Sequence, residues 1–133
     1  MSLSEFDPRP ATIPVGEPLC ALAELAPGHS KGFRVEGTET PVLIFLIRPI
    51  DAQNGEIYGY VNQCAHRSMP LDWVEGEFLD TEGKTIVCAT HGAVFRIEDG
   101  ICIDGPCPGK GLQALSLEVR DGQVYVSVPP RYR

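Results

Sequence analysis

Two Cys/His pairs constrain this chain more than any other feature: Cys64-Ala65-His66 and, further along, Cys88-Ala89-Thr90-His91. Each couples one thiolate donor with one imidazole donor within a few residues. Each pair can therefore sit on one tight loop, and both can face the same ion or cluster. Gly92, directly after His91, lets the backbone pack closely there, and Met69-Pro70 and Gly105-Pro106 set rigid turns near the two loops. Four convergent ligands of this softness suit either Zn²⁺ or an iron–sulfur centre. The plain alternative is a set of core thiols and surface imidazoles. Against it stand the repeated Cys-then-His order and the turn residues beside each pair, where a core thiol would lie in an apolar run.

The frame around these pairs reads as β-structure. With 133 residues the chain suits one domain, and its 14 Gly and 12 Pro favour turns and short strands over long helices. Met1–Gly16 reads as an irregular leader broken by Pro8, Pro10 and Pro14. Residues 17–130 read as one domain. Leu19–Leu25 is a short apolar segment ended by Pro27-Gly28. Phe33–Val35 and Val42–Arg48 read as strands, the second apolar throughout up to Ile47 and expected to be central. Turn composition at Asp51–Gly55 followed by Glu56–Val61 makes a hairpin with it. Strand-like pieces recur at Thr85–Cys88 and Val94–Ile97. Leu115–Val119 and Gln123–Val128 flank Asp121-Gly122, a strong hairpin signal. The reading is all-β, a small sandwich or barrel, with an irregular Cys/His-bearing insertion over about 62–111.

Charge and composition exclude several classes. A formal net charge of −7 argues against nucleic acid and anionic membrane as partners, and is compatible with docking to basic patches on proteins. The longest apolar run, Val42–Ile47, is far short of the roughly 20 residues that span a bilayer. The N-terminal stretch lacks the basic start and apolar run of a signal peptide, so the expected location is cytoplasmic. Five Cys is an odd count, and ligand or thiol roles are favoured over a disulfide framework.

Cys64-Ala65-His66-Arg67 together with Cys88-Ala89-Thr90-His91-Gly92-Ala93-Val94-Phe95 resembles the signature of the Rieske iron–sulfur family, C-x-H-R and C-x-x-H-G-x-x-F. The resemblance extends to the Gly105-Pro106 turn and the final strand pair around Asp121-Gly122, from about Leu19 to Val128. It implies an antiparallel β-sandwich or barrel bearing a small cluster-binding subdomain of two loops. It also implies one [2Fe–2S] cluster per chain, with Cys64 and Cys88 on one iron and His66 and His91 on the other. With two thiolates the oxidised cluster is neutral and its reduced form carries −1, whereas four thiolates would take it from −2 to −3. Adding the electron is correspondingly easier, which places the potential above that of plant-type ferredoxins.

Departures from the family refine this expectation. The respiratory members carry an extra Cys in each loop, forming a brace; here those positions are Met69 and Thr90. Those members also place a Ser and a Tyr after the second His, whose hydroxyls favour the reduced form. Here the positions hold Ala93 and Phe95, which implies a potential toward the low end of the roughly −150 to +300 mV range. The chain is therefore similar to the Rieske ferredoxins that serve oxygenases. The implied role is an electron carrier between redox protein partners, a reductase and a terminal oxygenase or similar acceptor.

Other chemistry is short of residues. Once His66 and His91 are used, only His29 is left, and one histidine cannot build the mononuclear iron site of an oxygenase. No G-x-G-x-x-G motif follows a strand. His29 is expected in an exposed turn, Cys20 in the core, and Cys102 and Cys107 as thiols beside Gly105-Pro106. Trp73 and Phe78 read as packing residues. Arg67 is either a docking contact or a solvated charge. Asp72, Glu75, Glu77, Asp80 and Glu82 make an acidic stretch that is either a solvated face or a steering surface for a basic partner. Two alternatives remain open at this level: a non-catalytic Rieske-type subunit such as the nitrite reductase small subunits, and a structural zinc module.

Overall fold

The computed structural model describes residues 12–38, 40–52, 56–63, 79, 84–87, 93–105 and 111–131. Among them the chain forms nine strands: β1 Cys20–Ala21, β2 His29–Val35, β3 Val42–Arg48, β4 Tyr58–Val61, β5 Thr85–Val87, β6 Val94–Arg96, β7 Cys102–Asp104, β8 Leu117–Arg120 and β9 Gln123–Val126. A single 3₁₀ turn, Leu22–Glu24, follows β1. The strands make three antiparallel three-stranded sheets, ordered β2-β3-β4, β5-β6-β7 and β1-β9-β8.

β3 explains why three sheets hold together. Successive side chains of a strand point to opposite faces, and both faces of β3 are covered. Phe45 and Ile47, with Tyr60 of β4, enter a core that includes Ile86, Phe95 and Ile97 of the second sheet region. Val42, Ile44 and Leu46, with Val61, enter another that includes Phe33, Val35, Val124 and Val126. A strand buried on both sides reads as a continuous apolar run, which is why Val42–Ile47 has no polar alternation. Arg48 ends the run as a buried cation, and its Nη1 donates to the carbonyls of Leu22 and Leu25, each at 3.3 Å.

The segment 111–115 joins the first two sheets. Leu112 N donates to Gly100 O, Val61 N to Gln113 O and Leu115 N to Gly59 O, each at 2.9 Å. Isolated bridges Tyr60–Ala114 and Ile101–Gly111 lie on the same line. This seam closes over Tyr60, whose hydroxyl donates to the carbonyl of Ile97. Gly100 sits at φ +71, and a Cβ there would lie 2.7 Å from the Tyr60 ring, so both conformation and space demand glycine.

The C-terminal hairpin turns at Asp121 (φ 51) and Gly122 (φ 74), the two positive-φ residues of a type I′ turn. Strand limits differ from expectation where pairing overrides local preference. β2 begins at His29 instead of Phe33, because β3 offers ladder partners as far as Arg48. β7 was not legible at all: Cys-Ile-Asp is short, and the ladder shifts register between Val94 and Phe95. Leu115 belongs to the seam, so β8 starts only at Leu117. β9 stops at Val126, leaving Val128 exposed. Within the expected leader, Ile13 pairs in parallel with Val35 and covers part of the β2 edge.

Tyr60→Phe removes one buried hydrogen bond and leaves the Ile97 carbonyl without it. The variant should lose about 1–2 kcal/mol of stability in urea unfolding at neutral pH. Burial first, then the charge of Asp99, holds the Tyr60 phenol above its ordinary value of 10.0. Because the folded state disfavours the phenolate, stability is complete below pH 10 and falls as pH rises above it. The fall should be shallower in Tyr60→Phe, although Tyr58, pushed up to about 12 by its hydrogen bond to Glu56, retains part of it. Equal slopes for the two proteins would contradict this assignment.

Candidate functional site

The strands that carry the two Cys/His pairs can be followed up to the pairs themselves. β4 runs antiparallel to β3 with Tyr58 opposite Ile47 and Val61 opposite Ile44. Cys64 follows β4 by sequence, after Asn62 and Gln63. β5 and β6 pair with Thr85 opposite Arg96 and Val87 opposite Val94. Cys88 and His91 thus belong to the short connection closed by the Val87–Val94 pair. At the other end of these strands, Pro49, Ile50 and Asp51 after β3 share one groove with Lys84 before β5 and with Ile97 and Glu98 after β6. The ends that lead into the two motifs therefore leave the core on the same side.

Cys64, His66, Cys88 and His91 themselves lie outside the described residues, as do Arg67, Met69, Asp72, Trp73, Glu75, Glu77, Phe78, Asp80, Glu82, Thr90 and Cys107. What the structure fixes is their support. Ala93 and Phe95, the positions where the respiratory proteins carry hydroxyls, are fully buried against Phe45, Ile47 and Tyr60. Neither carries a donor. Leu79 returns to bridge Ile86 on the open edge of β5, so the chain between the motifs is tied back to the second sheet. By sequence, one Cys/His pair follows the end of β4 and the other lies between the paired residues Val87 and Val94, and two thiolate plus two imidazole donors are a set whose chemistry fits a [2Fe–2S] cluster.

The remaining chemistry-bearing residues fall into place around this frame. His29 is exposed on the first residue of β2. Cys20 is a buried core thiol, and burial together with the charge of Glu24 raises its pKa, which makes it a poor nucleophile. Cys102 is buried on β7, its Sγ donating to the carbonyl of Asp104 at 3.2 Å. Its relation to Cys107 falls outside the described residues. Arg96 and Asp99 form an exposed ion pair at 2.6 Å, which raises the guanidinium pKa and lowers that of the carboxyl. Among the described residues no group of three or more His, Cys, Asp and Glu is arranged to hold a metal ion. Nor is any helix among them long and apolar enough to cross a membrane.

One residue escaped sequence reasoning. Asn62 is 2% exposed, and only Asn62 and Arg48 are buried polar side chains among the described residues. The available signal was an amide directly after an apolar strand and two residues before Cys64.

The model of the Rieske [2Fe-2S] domain family matches residues 17–126. Among solved structures, the ferredoxin of carbazole 1,9a-dioxygenase from Nocardioides aromaticivorans IC177 superimposes with a TM-score of 0.64 at 23% identity, covering 86% of this chain and 97% of that one. A Sphingomonas yanoikuyae B1 ferredoxin gives 0.60 at 22% identity, with 85% and 98% covered. A chain from the complex of reduced oxygenase and oxidized ferredoxin in carbazole 1,9a-dioxygenase gives 0.62 at 23% identity, with 88% and 96% covered. At these identities the likeness is one of fold. No curated protein matches the sequence.

Proposed function

Because the chain belongs to the Rieske [2Fe-2S] domain family, we propose that it is a one-electron carrier, taking electrons from a reductase and passing them to a terminal oxygenase or similar acceptor. In this reading Cys64 and Cys88 hold one iron and His66 and His91 the other. The observation that carries it is the full complement of two Cys and two His, each pair entered from a strand end on the same side of the core, within a family match over most of the chain. When bound, the cluster supplies reversible one-electron chemistry at a potential above that of plant-type ferredoxins.

The chain's own residues do the positioning. The Val87–Val94 pair closes the connection that bears Cys88 and His91. Behind it, Ala93 and Phe95 present only carbon, so the reduced, more negative state gains no hydroxyl hydrogen bond from these positions. The net charge of −7 suits a partner with a basic docking face. Structural neighbours support the choice of acceptor, since one of them is a ferredoxin captured with its oxygenase. A reducing, cytoplasmic setting fits the buried thiol of Cys20.

The direct test is the purified protein. It should be red-brown, contain two irons and two acid-labile sulfides, and show a Rieske-type electron spin resonance signal on reduction. It should also pass electrons to an oxygenase, and Cys64→Ser should abolish both cluster and transfer. A colourless protein holding a single zinc ion would end this reading.

The buried pair behind the second motif gives a further test. A hydrogen bond to a charged acceptor is worth about 1.5 kcal/mol, or roughly 60 mV for one electron. Ala93→Ser and Phe95→Tyr should each raise the midpoint potential by about that amount, as read by redox titration. No rise in either variant would refute the account of a low potential.

A further inference from the structure

The chain leaves β4 in a way that singles out one side chain. Val61 N donates to Gln113 O at 2.9 Å, and Asn62 N donates to Leu43 O at 2.8 Å. Successive amides of the exit are thus clamped to the seam on one side and to the start of β3 on the other. Gln63 N then bonds back to Val61 O at 2.8 Å, an i to i+2 bond that makes Asn62 the central residue of a three-residue turn. The turn redirects the backbone immediately before Cys64. Its central side chain is an amide with only 2% of its surface exposed.

A buried amide carries one acceptor oxygen and two donor hydrogens, and such groups persist where they are hydrogen-bonded. Asn and Asp side chains characteristically bond backbone groups within a few residues, fixing the local turn. An apolar residue of the same shape would suit this burial better if packing were its only role. Placing an amide here makes sense if the backbone beyond the turn needs a fixed direction.

From this geometry we propose that Asn62 is a positioning residue, whose buried amide sets the direction in which the chain enters the first motif and so holds Cys64 and His66 in place for the cluster. The inference rests on the electron-carrier reading and adds a residue outside the ligand set. Outer partners of this kind typically alter metal retention by roughly 10–100-fold when removed.

The experiment compares wild type, Asn62→Leu and Asn62→Ser as full-length, cluster-loaded proteins. It reads the rate of bleaching by a chelator, the midpoint potential and the electron spin resonance line shape. Tyr60→Phe is the control for lost stability, expected to lower Tm while leaving potential and line shape unchanged. Asn62→Leu should bleach at least about tenfold faster and show a shifted potential and altered line shape. Asn62→Ser, which keeps a shorter polar group, should fall between it and wild type. If Asn62→Leu fails to fold, Asn62→Ser decides the matter by the same three readings. Variants that match wild type in all three overturn the role of Asn62 while leaving the electron-carrier reading intact. A wild-type protein that binds no diiron cluster removes both.

Discussion

β3 has no face turned to water, and the rest of the fold is arranged around that fact. Phe45 and Ile47 need the second sheet region, and Val42, Ile44 and Leu46 need the β1-β9-β8 sheet, so neither neighbour can be removed without exposing large apolar side chains. At roughly 25 cal/mol per Å² of apolar surface, this is the dominant favourable term available to a chain of this size. Only its last residue is polar. Arg48 donates to the carbonyls of Leu22 and Leu25, which ties the 3₁₀ turn after β1 to the end of β3.

This arrangement matters for function because the second sheet is small, with three strands of three residues each. Such a sheet is marginal by itself. It is made rigid by Ile86 and Phe95 packing on Phe45 and Ile47, and by the seam through Leu112, Gln113 and Leu115 that closes over Tyr60. The same contacts hold the end of β4 and the Val87–Val94 pair that closes β5 and β6, from which the sequence continues into the Cys/His pairs. In the proposed reading both Cys/His pairs serve one cluster, and the strands that lead into them share one frame, the double-sided burial of β3.

Much of this was legible in the sequence for identifiable reasons. The unbroken run Val42–Ile47 announced a strand covered on both faces, and Asp121-Gly122 announced its turn through the backbone conformation it requires. The paired Cys and His, in matching order beside turn residues, announced the chemistry. The seam was not legible, because Gly111–Leu115 has no strand pattern and is defined by bonds to Gly59, Val61 and Gly100 far away in sequence. β7 was missed for a similar reason, since its identity comes from pairing with β6 across a register shift. Asn62 was overlooked because burial of a polar residue is a tertiary property, invisible until β4 is placed between β3 and the seam.

The central claim is that the two Cys/His pairs grip one diiron unit, sulfur on one iron and imidazole on the other. Pulsed electron spin resonance on the reduced protein, grown with ¹⁵N-labelled histidine, tests this most directly. The account predicts strong couplings to two histidine nitrogens that vanish one at a time in His66→Cys and His91→Cys. A reduced centre with no histidine coupling, or one whose couplings survive both substitutions, would contradict it.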